Sequence, residues 1–358
     1  MIMSPFKLRS VKKALKKIDL SEKDANYFLL PFIENWNKEN PTKLGYLSKS
    51  SELPFKVWKD QVHGLVGKKL KLIEPLPLDE QDFELHGKAE ANGIKFIKFS
   101  LMALPGVRIP AIMCIPEKIS GRVPGMITIH GHGQSLANTA GFKRSKSKEY
   151  FGYELAKKGI VTISPDWLGS GEREKFRKKF LLFFQDEGYL SNWVRFLGLD
   201  MIGLRVAEMQ GLINYLETRD EINPDRIGIM GHSGGGTLSL FTTIIDERIK
   251  LCATSGYFGS WKHSILAKFH CGCNYIPDLG TFVEMYDLYA SLAPTPLAIT
   301  IGQKDKIFRY EGTQRAIPII QQAYKGIGAS ENFLSDVHPK GHLFRGDNIY
   351  PFILKHIF

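Results

Sequence analysis

The stretch Arg226–Phe241, RIGIMGHSGGGTLSLF, decides how this chain is read. A short apolar run, RIGIMG, is followed at once by Ser233 set among glycines, and then by the apolar GGTLSLFTTII. The first run reads as a buried strand and the last as a helix. A strand that turns sharply into a helix needs small neighbours, because its backbone is strained and passes close to its surroundings. Gly231 and Gly235 meet that need. The corner pushes the serine side chain out beyond the top of the sheet. Either it exists for packing, or it presents Ser233 as a nucleophile.

Working outward, the same texture recurs. After Pro124 the chain alternates strand and helix: GMITIH, KEYFGYELAKKG closed by Gly159, IVTISPD, LRVAEMQGLINYLETR, then the Ser233 unit, IKLCATSG, PLAITIG, ENFLSDV and a closing helix from about Asn348. Alternation of this kind predicts an α/β fold, a mostly parallel sheet covered by helices on both faces. Residues 83–116 alternate and turn at Gly93 and Pro105-Gly106, as antiparallel strands do, which makes the sheet mixed. Residues 1–73 read as helices, with Ser21 as an N-cap, and form an N-terminal helical extension; residues 74–358 form the catalytic domain. Segments near 166–199 and 257–293 fit no regular unit and read as insertions that carry function or cover a site.

In open parallel sheets ligands sit beyond the carboxyl ends of the strands, so the residues just after each strand matter most. There the sequence puts Gly131–Gln134, Asp166 and Trp167, His232 and Ser233, Tyr257, Asp305, His338 and His342. A serine hydroxyl is a weak nucleophile that needs a base and a group to orient that base. Ser233, Asp305 and His342 supply these in the order Ser, Asp, His. His338 and Asp336 are rivals; the first is followed by Pro339 and the second falls inside the last strand. The N–H of Gly234 is suited to a developing oxyanion, with a second donor from His132 or Gly133.

The matching pieces PGVRIPAIMCIP, ITIHGHGQS, ISPDWLGSGERE, EINPDRIGIMGHSGGG, LAPTPLAITIGQKD and GHLF resemble the α/β-hydrolase superfamily. Within it they are similar to the dienelactone-hydrolase-like and acetyl-xylan-esterase-like carboxylesterases. The resemblance covers about residues 83–345. It implies an α/β-hydrolase fold and ester hydrolysis with Ser233 as nucleophile, His342 as general base and acid, Asp305 as its orienter, and the HGHG loop in the oxyanion hole. Trp167, Tyr257, His270 and Tyr275 are candidate substrate-binding residues, weighed against a role in lid or core packing.

Other chemistries fare less well. His130, His132, His338 and His342 could suggest a metal, but Gln134 and Ser135 stand where a metallo-hydrolase would carry its acid. Cys271 and Cys273 have poor spacing for a zinc finger or an easy disulfide, and Cys114 and Cys252 read as small buried hydrophobes. No phosphate loop or dinucleotide fingerprint is present, so neither cofactor nor metal is expected. Residues 1–72 hold fifteen Lys and Arg against seven Asp and Glu, so eight of the eleven net positive charges fall there. They alternate with apolar residues at helical spacing and read as a solvated face, so no nucleic-acid partner is expected. The start has no apolar signal region, and no run of about 20 apolar residues spans a membrane; the expectation is a cytoplasmic enzyme acting on a small-molecule ester. Two alternatives stay open: a prolyl-oligopeptidase-like serine peptidase, and a non-catalytic hydrolase-fold binding protein using the basic N-terminal surface.

Overall fold

Nine strands form one sheet in the order β1-β2-β3-β5-β4-β6-β7-β8-β9. This is a computed structural model, and it describes residues 39–174, 187–268 and 270–358. The sheet lies in the unit Leu44–Phe358. Strands β1 (Phe83–Ala91), β2 (Ile94–Leu104) and β3 (Val107–Pro116) form an antiparallel meander. Its turns are at Gly93 and Gly106, both at positive φ. Strand β3 runs antiparallel to β5 (Val161–Pro165), and from there β4 (Val123–Ile129), β6 (Ile222–His232), β7 (Ile249–Ser255), β8 (Leu297–Gly302) and β9 (Phe333–His338) are parallel. Strand β1 is exposed along its whole length and carries Glu84, His86, Lys88 and Glu90, charges that discourage edge-to-edge pairing.

The central strands look uniformly apolar because both faces are covered. On β4 and β6, Ile127, Ile129, Ile227 and Ile229 point to one layer and Met126 and Met230 to the other. The first layer holds helices α1 (Phe55–Lys69), α4 (Met201–Glu217) and α5 (Gly234–Ile245). The second holds α2 (Phe151–Ala156) and the closing helix α8 (Ile349–Ile357). Between them in sequence lie α3 (Glu187–Phe196), α6 (Met285–Ala290) and α7 (Tyr310–Gly326).

Two features depart from what the pattern predicts. Helix α1 falls within the expected extension 1–73, yet it belongs to the unit that holds the sheet. Trp58, Val62 and Val66, spaced four apart on one face, are fully buried in the main core, and the Trp58 indole donates to the Leu44 carbonyl at 2.8 Å. Helix α7 has no counterpart in the sequence expectations. Pro318 sits in its interior and its outer face is polar, which thins the apolar stripe to Ala316, Ile319, Ile320 and Ala323. The Ser21 cap and part of the insertion near 166–199 lie outside the described residues. No helix among the described residues is long and apolar enough to cross a membrane.

Candidate active site

Strand register brings the site together. Ile129 pairs with Gly231, His232 with Ser255, and Ser255 with Thr300. The carboxyl ends of β4, β6, β7 and β8 therefore open on one edge, and the loops beyond them share it.

Ser233 links β6 to α5 at φ 52°, ψ −115°, a strained conformation for a residue with a side chain. The surroundings enforce it. A Cβ on Gly231 would lie 2.1 Å from the Gly235 carbonyl oxygen, and one on Gly235 would lie 2.1 Å from that of Ile129. Only glycine allows β4, β6 and the start of α5 to approach this closely. The Ser233 N–H donates to the Ser255 carbonyl at 2.7 Å, which ties the corner to β7. Gly234, as the first residue of the helix, has no intrahelical acceptor for its N–H.

Asp305 follows β8 and its side chain is fully buried. Its Oδ1 accepts the N–H groups of Ile307 and Phe308 at 2.8 and 3.0 Å, leaving Oδ2 for His342 Nδ1 at 2.7 Å. Phe308 stacks on the His342 ring, and Gly256 makes room beneath it. His338 pairs elsewhere: its Nδ1 accepts the Lys340 N–H at 3.3 Å. Asp336 accepts from Thr300 and Asn348. Of the competing acids and histidines, the fold joins Asp305 with His342.

Ser233, His342, Gly131, His132, His232 and Glu149 are among the residues that line a pocket of about 340 Å³. Glu149 was not anticipated. It is buried, its Oε2 accepts the Gly131 N–H at 2.6 Å, and its Oε1 accepts the Ser147 hydroxyl. Gly131 is thereby removed as an oxyanion donor, which leaves His132 and Gly133 on that loop. A second unanticipated pair stands behind the loop: His130 Nε2 lies 3.1 Å from Asp166 Oδ1, both fully buried. Asp166 also accepts the N–H groups of Leu136 and Glu172 at 2.6 and 2.7 Å. Asp166 stands at a strand end the sequence marks, but its pairing with His130, like that of Glu149 with Gly131, joins different loops and carries no local sequence signal.

His232 is buried beside the His342 ring, with 4.7 Å between centroids. Its Nδ1 lies 2.9 Å from Ser255 Oγ, and burial, reinforced by His342 and His338, pushes its pKa well below the usual histidine value. It is therefore neutral at ordinary pH and cannot compete with His342 by adding a charge.

The four expected substrate contacts lie elsewhere than in this pocket. Trp167 is buried, stacks on His130 and meets the His132 ring edge-on, with the Arg205 guanidinium over the Trp167 ring, 4.0 Å from its centroid. Tyr257 is buried against Phe308. His270 also packs on Phe308, and burial lowers its pKa. Tyr275 is exposed and donates to the Ile265 carbonyl. Trp167, Tyr257 and His270 support residues around the pocket, and none of the four is among its lining residues. Cys273, near His132, has its thiol held well below the usual range by Cys271, against burial, with Arg205 and His132 acting in the same direction as Cys271.

Residues 37–250 match the abhydrolase family. The chain belongs to that family. This abhydrolase is 25% identical over 247 residues to YtaP of Bacillus subtilis (strain 168), a protein named as a hydrolase; the match spans 66% of this chain and 78% of the relative. Among solved structures, it is similar to a protein from Bacteroides fragilis NCTC 9343 named as an acetyl xylan esterase, with a TM-score of 0.69, 17% identity, and 84% and 88% of the two chains covered. Acetyl xylan esterase 1 from Thermoanaerobacterium sp. JW/SL YS485 gives a TM-score of 0.54 at 16% identity, covering 84% and 94%. These likenesses show that the abhydrolase has the α/β-hydrolase fold.

Proposed function

We propose that this abhydrolase is a serine carboxylic-ester hydrolase. Ser233 attacks the ester carbonyl while His342 Nε2 takes its proton. Asp305 keeps the imidazole in the tautomer with its proton on Nδ1 and stabilises the cation that forms. The N–H of Gly234, at the positive end of α5, and one from His132 or Gly133 stabilise the tetrahedral oxyanion. Each donor of this kind contributes about a hundred- to a thousandfold in rate. His342 then returns the proton to the leaving alcohol, and water activated by the same imidazole releases the acyl group from Ser233.

The observation that carries this reading is the 2.7 Å pairing of Asp305 with His342 at a pocket whose wall includes Ser233. A volume of about 340 Å³ is near the small end of ligand sites and suits acetyl or other short acyl groups. The names of the structural neighbours point to the same substrate class. The test is hydrolysis of p-nitrophenyl acetate and longer acyl esters by the wild type and by Ser233→Ala, together with labelling by a fluorophosphonate. Activity that falls with acyl length and vanishes in the variant supports the reading. Full activity in Ser233→Ala, or a label on another residue, ends it.

A further inference from the structure

His132 has a second role to play. One edge of its ring lies against the start of α5: a Cβ on Gly234 would come within 2.6 Å of its Nδ1 and Cε1. The other edge faces the segment after β7. There a single turn at Gly272–Asn274 carries Cys271 as its first flanking residue and Cys273 within it. His132 Nε2 lies 3.7 Å from Cys273 Sγ, and the donor atoms of His132, Cys271 and Cys273 all lie within 4.8 Å of one another.

We propose that His132, Cys271 and Cys273 form a binding site for a borderline-soft divalent cation, with zinc as the best fit. Zinc takes sulfur at about 2.3 Å and imidazole nitrogen at about 2.0–2.1 Å in tetrahedral geometry, which places neighbouring nitrogen and sulfur ligands about 3.6 Å apart. The observed 3.7 Å matches that edge. Two thiolates and a neutral imidazole balance the charge of the ion and favour zinc over harder cations. The thiol protons leave to solvent as the metal binds. The Asn274 amide donates to Cys273 Sγ at 3.6 Å, the kind of outer hydrogen bond that supports a ligating thiolate, and Trp167 packs edge-on against the His132 ring. Three protein ligands leave a fourth position for water or a small anion. The metal would staple the segment 271–274 to the loop that borders the Ser233 pocket. The site shares His132 with the ester-hydrolase reading, but that reading draws only on the backbone N–H of His132 while the metal takes its ring nitrogen, and neither cysteine enters that mechanism.

The experiment uses the full chain, reduced with a phosphine and stripped by a chelator. Cobalt(II) is titrated in, followed by zinc, and zinc affinity is measured by competition with a chromophoric chelator. One equivalent of cobalt should bring up thiolate-to-cobalt charge-transfer absorption, which one equivalent of zinc then bleaches. Cys271→Ser should weaken zinc binding by about tenfold or more, and Cys271→Ser with Cys273→Ser should abolish the band. Cys271 is partly exposed, so its serine variant should keep the wild-type melt, checked by circular dichroism. Cys114 and Cys252 are buried in strands and remain as internal controls. Absence of the band in the wild type, or zinc affinity in Cys271→Ser within threefold of the wild type, overturns the proposal.

Discussion

The carboxylate of Asp305 reaches His342 across 37 residues of sequence and meets its Nδ1 at 2.7 Å. What holds it there is local. The other oxygen is fixed by two backbone N–H groups of its own turn, Ile307 and Phe308. The acid cannot rotate away from the imidazole without leaving those donors unpaired in a buried place.

Asp305→Asn therefore tests orientation more than folding. An amide can keep its oxygen on the Ile307 and Phe308 donors, but it then offers N–H to Nδ1 and forces the proton onto Nε2. That is the wrong tautomer for a base. The expected outcome is a fall of about 10³–10⁴-fold in kcat on p-nitrophenyl acetate. The melting temperature should stay within a few degrees. A loss below tenfold would show that His342 does not depend on Asp305.

Glu149 holds the loop that carries His132 and Gly133. Glu149→Gln keeps an oxygen for the Gly131 N–H and should leave activity within a few fold. Glu149→Leu strands that buried donor, which costs about 1–3 kcal/mol and lets the loop shift. Its kcat should fall well below that of Glu149→Gln, with KM less affected. Equal kinetics for the two variants would remove Glu149 from any part in positioning the loop.

Two glycine substitutions separate crowding from backbone strain. An added Cβ at Gly235 meets the carbonyl oxygens of Ile129 and His130 at 2.1 and 2.7 Å, and none of these atoms can swing aside. At Gly133 the same Cβ meets nothing within 4 Å, although φ is +75°. Gly133→Ala should cost about 1–2 kcal/mol, the ordinary price of a left-handed residue. Gly235→Ala should cost more than about 3 kcal/mol or prevent folding. Urea midpoints of the two variants decide it; similar midpoints would contradict the close approach of β4 to α5.

Stability should also record His63 on α1. Its Nε2 lies 3.2 Å from the Ser291 carbonyl and hydroxyl oxygens. Burial, with Lys59 acting in the same direction, pushes its pKa down to about 4. An unfolded histidine titrates near about 6.5. The folded state thus binds the proton less readily than the unfolded chain. This contribution is whole above about pH 6.5 and is lost progressively as the pH falls toward 4, by up to about 3 kcal/mol. His63→Asn should lose less stability than the wild type between about pH 7 and about pH 4.5, read from urea midpoints. Parallel pH dependence in the two proteins would contradict a buried, neutral His63.

The chain's own pattern determined the order of elements, the parallel arrangement and the strained serine corner. Each of these follows from local rules: strand and helix periodicity, and the need for glycine at Gly231 and Gly235. Ser233, Asp305 and His342 could be named for the same reason, since each follows a recognisable strand end. Helix α7 escaped because Pro318, on its exposed face, stands inside the helix and reads in sequence as a breaker. The burial of α1 escaped because a basic amphipathic helix reads alike on a surface or against a core. Only the tertiary structure paired Asp305 with His342 at 2.7 Å, gave Gly131's N–H to Glu149, left Trp167, Tyr257 and His270 out of the pocket lining, and set Cys271 and Cys273 beside His132. Those outcomes depend on strand register and on loops far apart in sequence, where a shift of one residue reverses which way a side chain points.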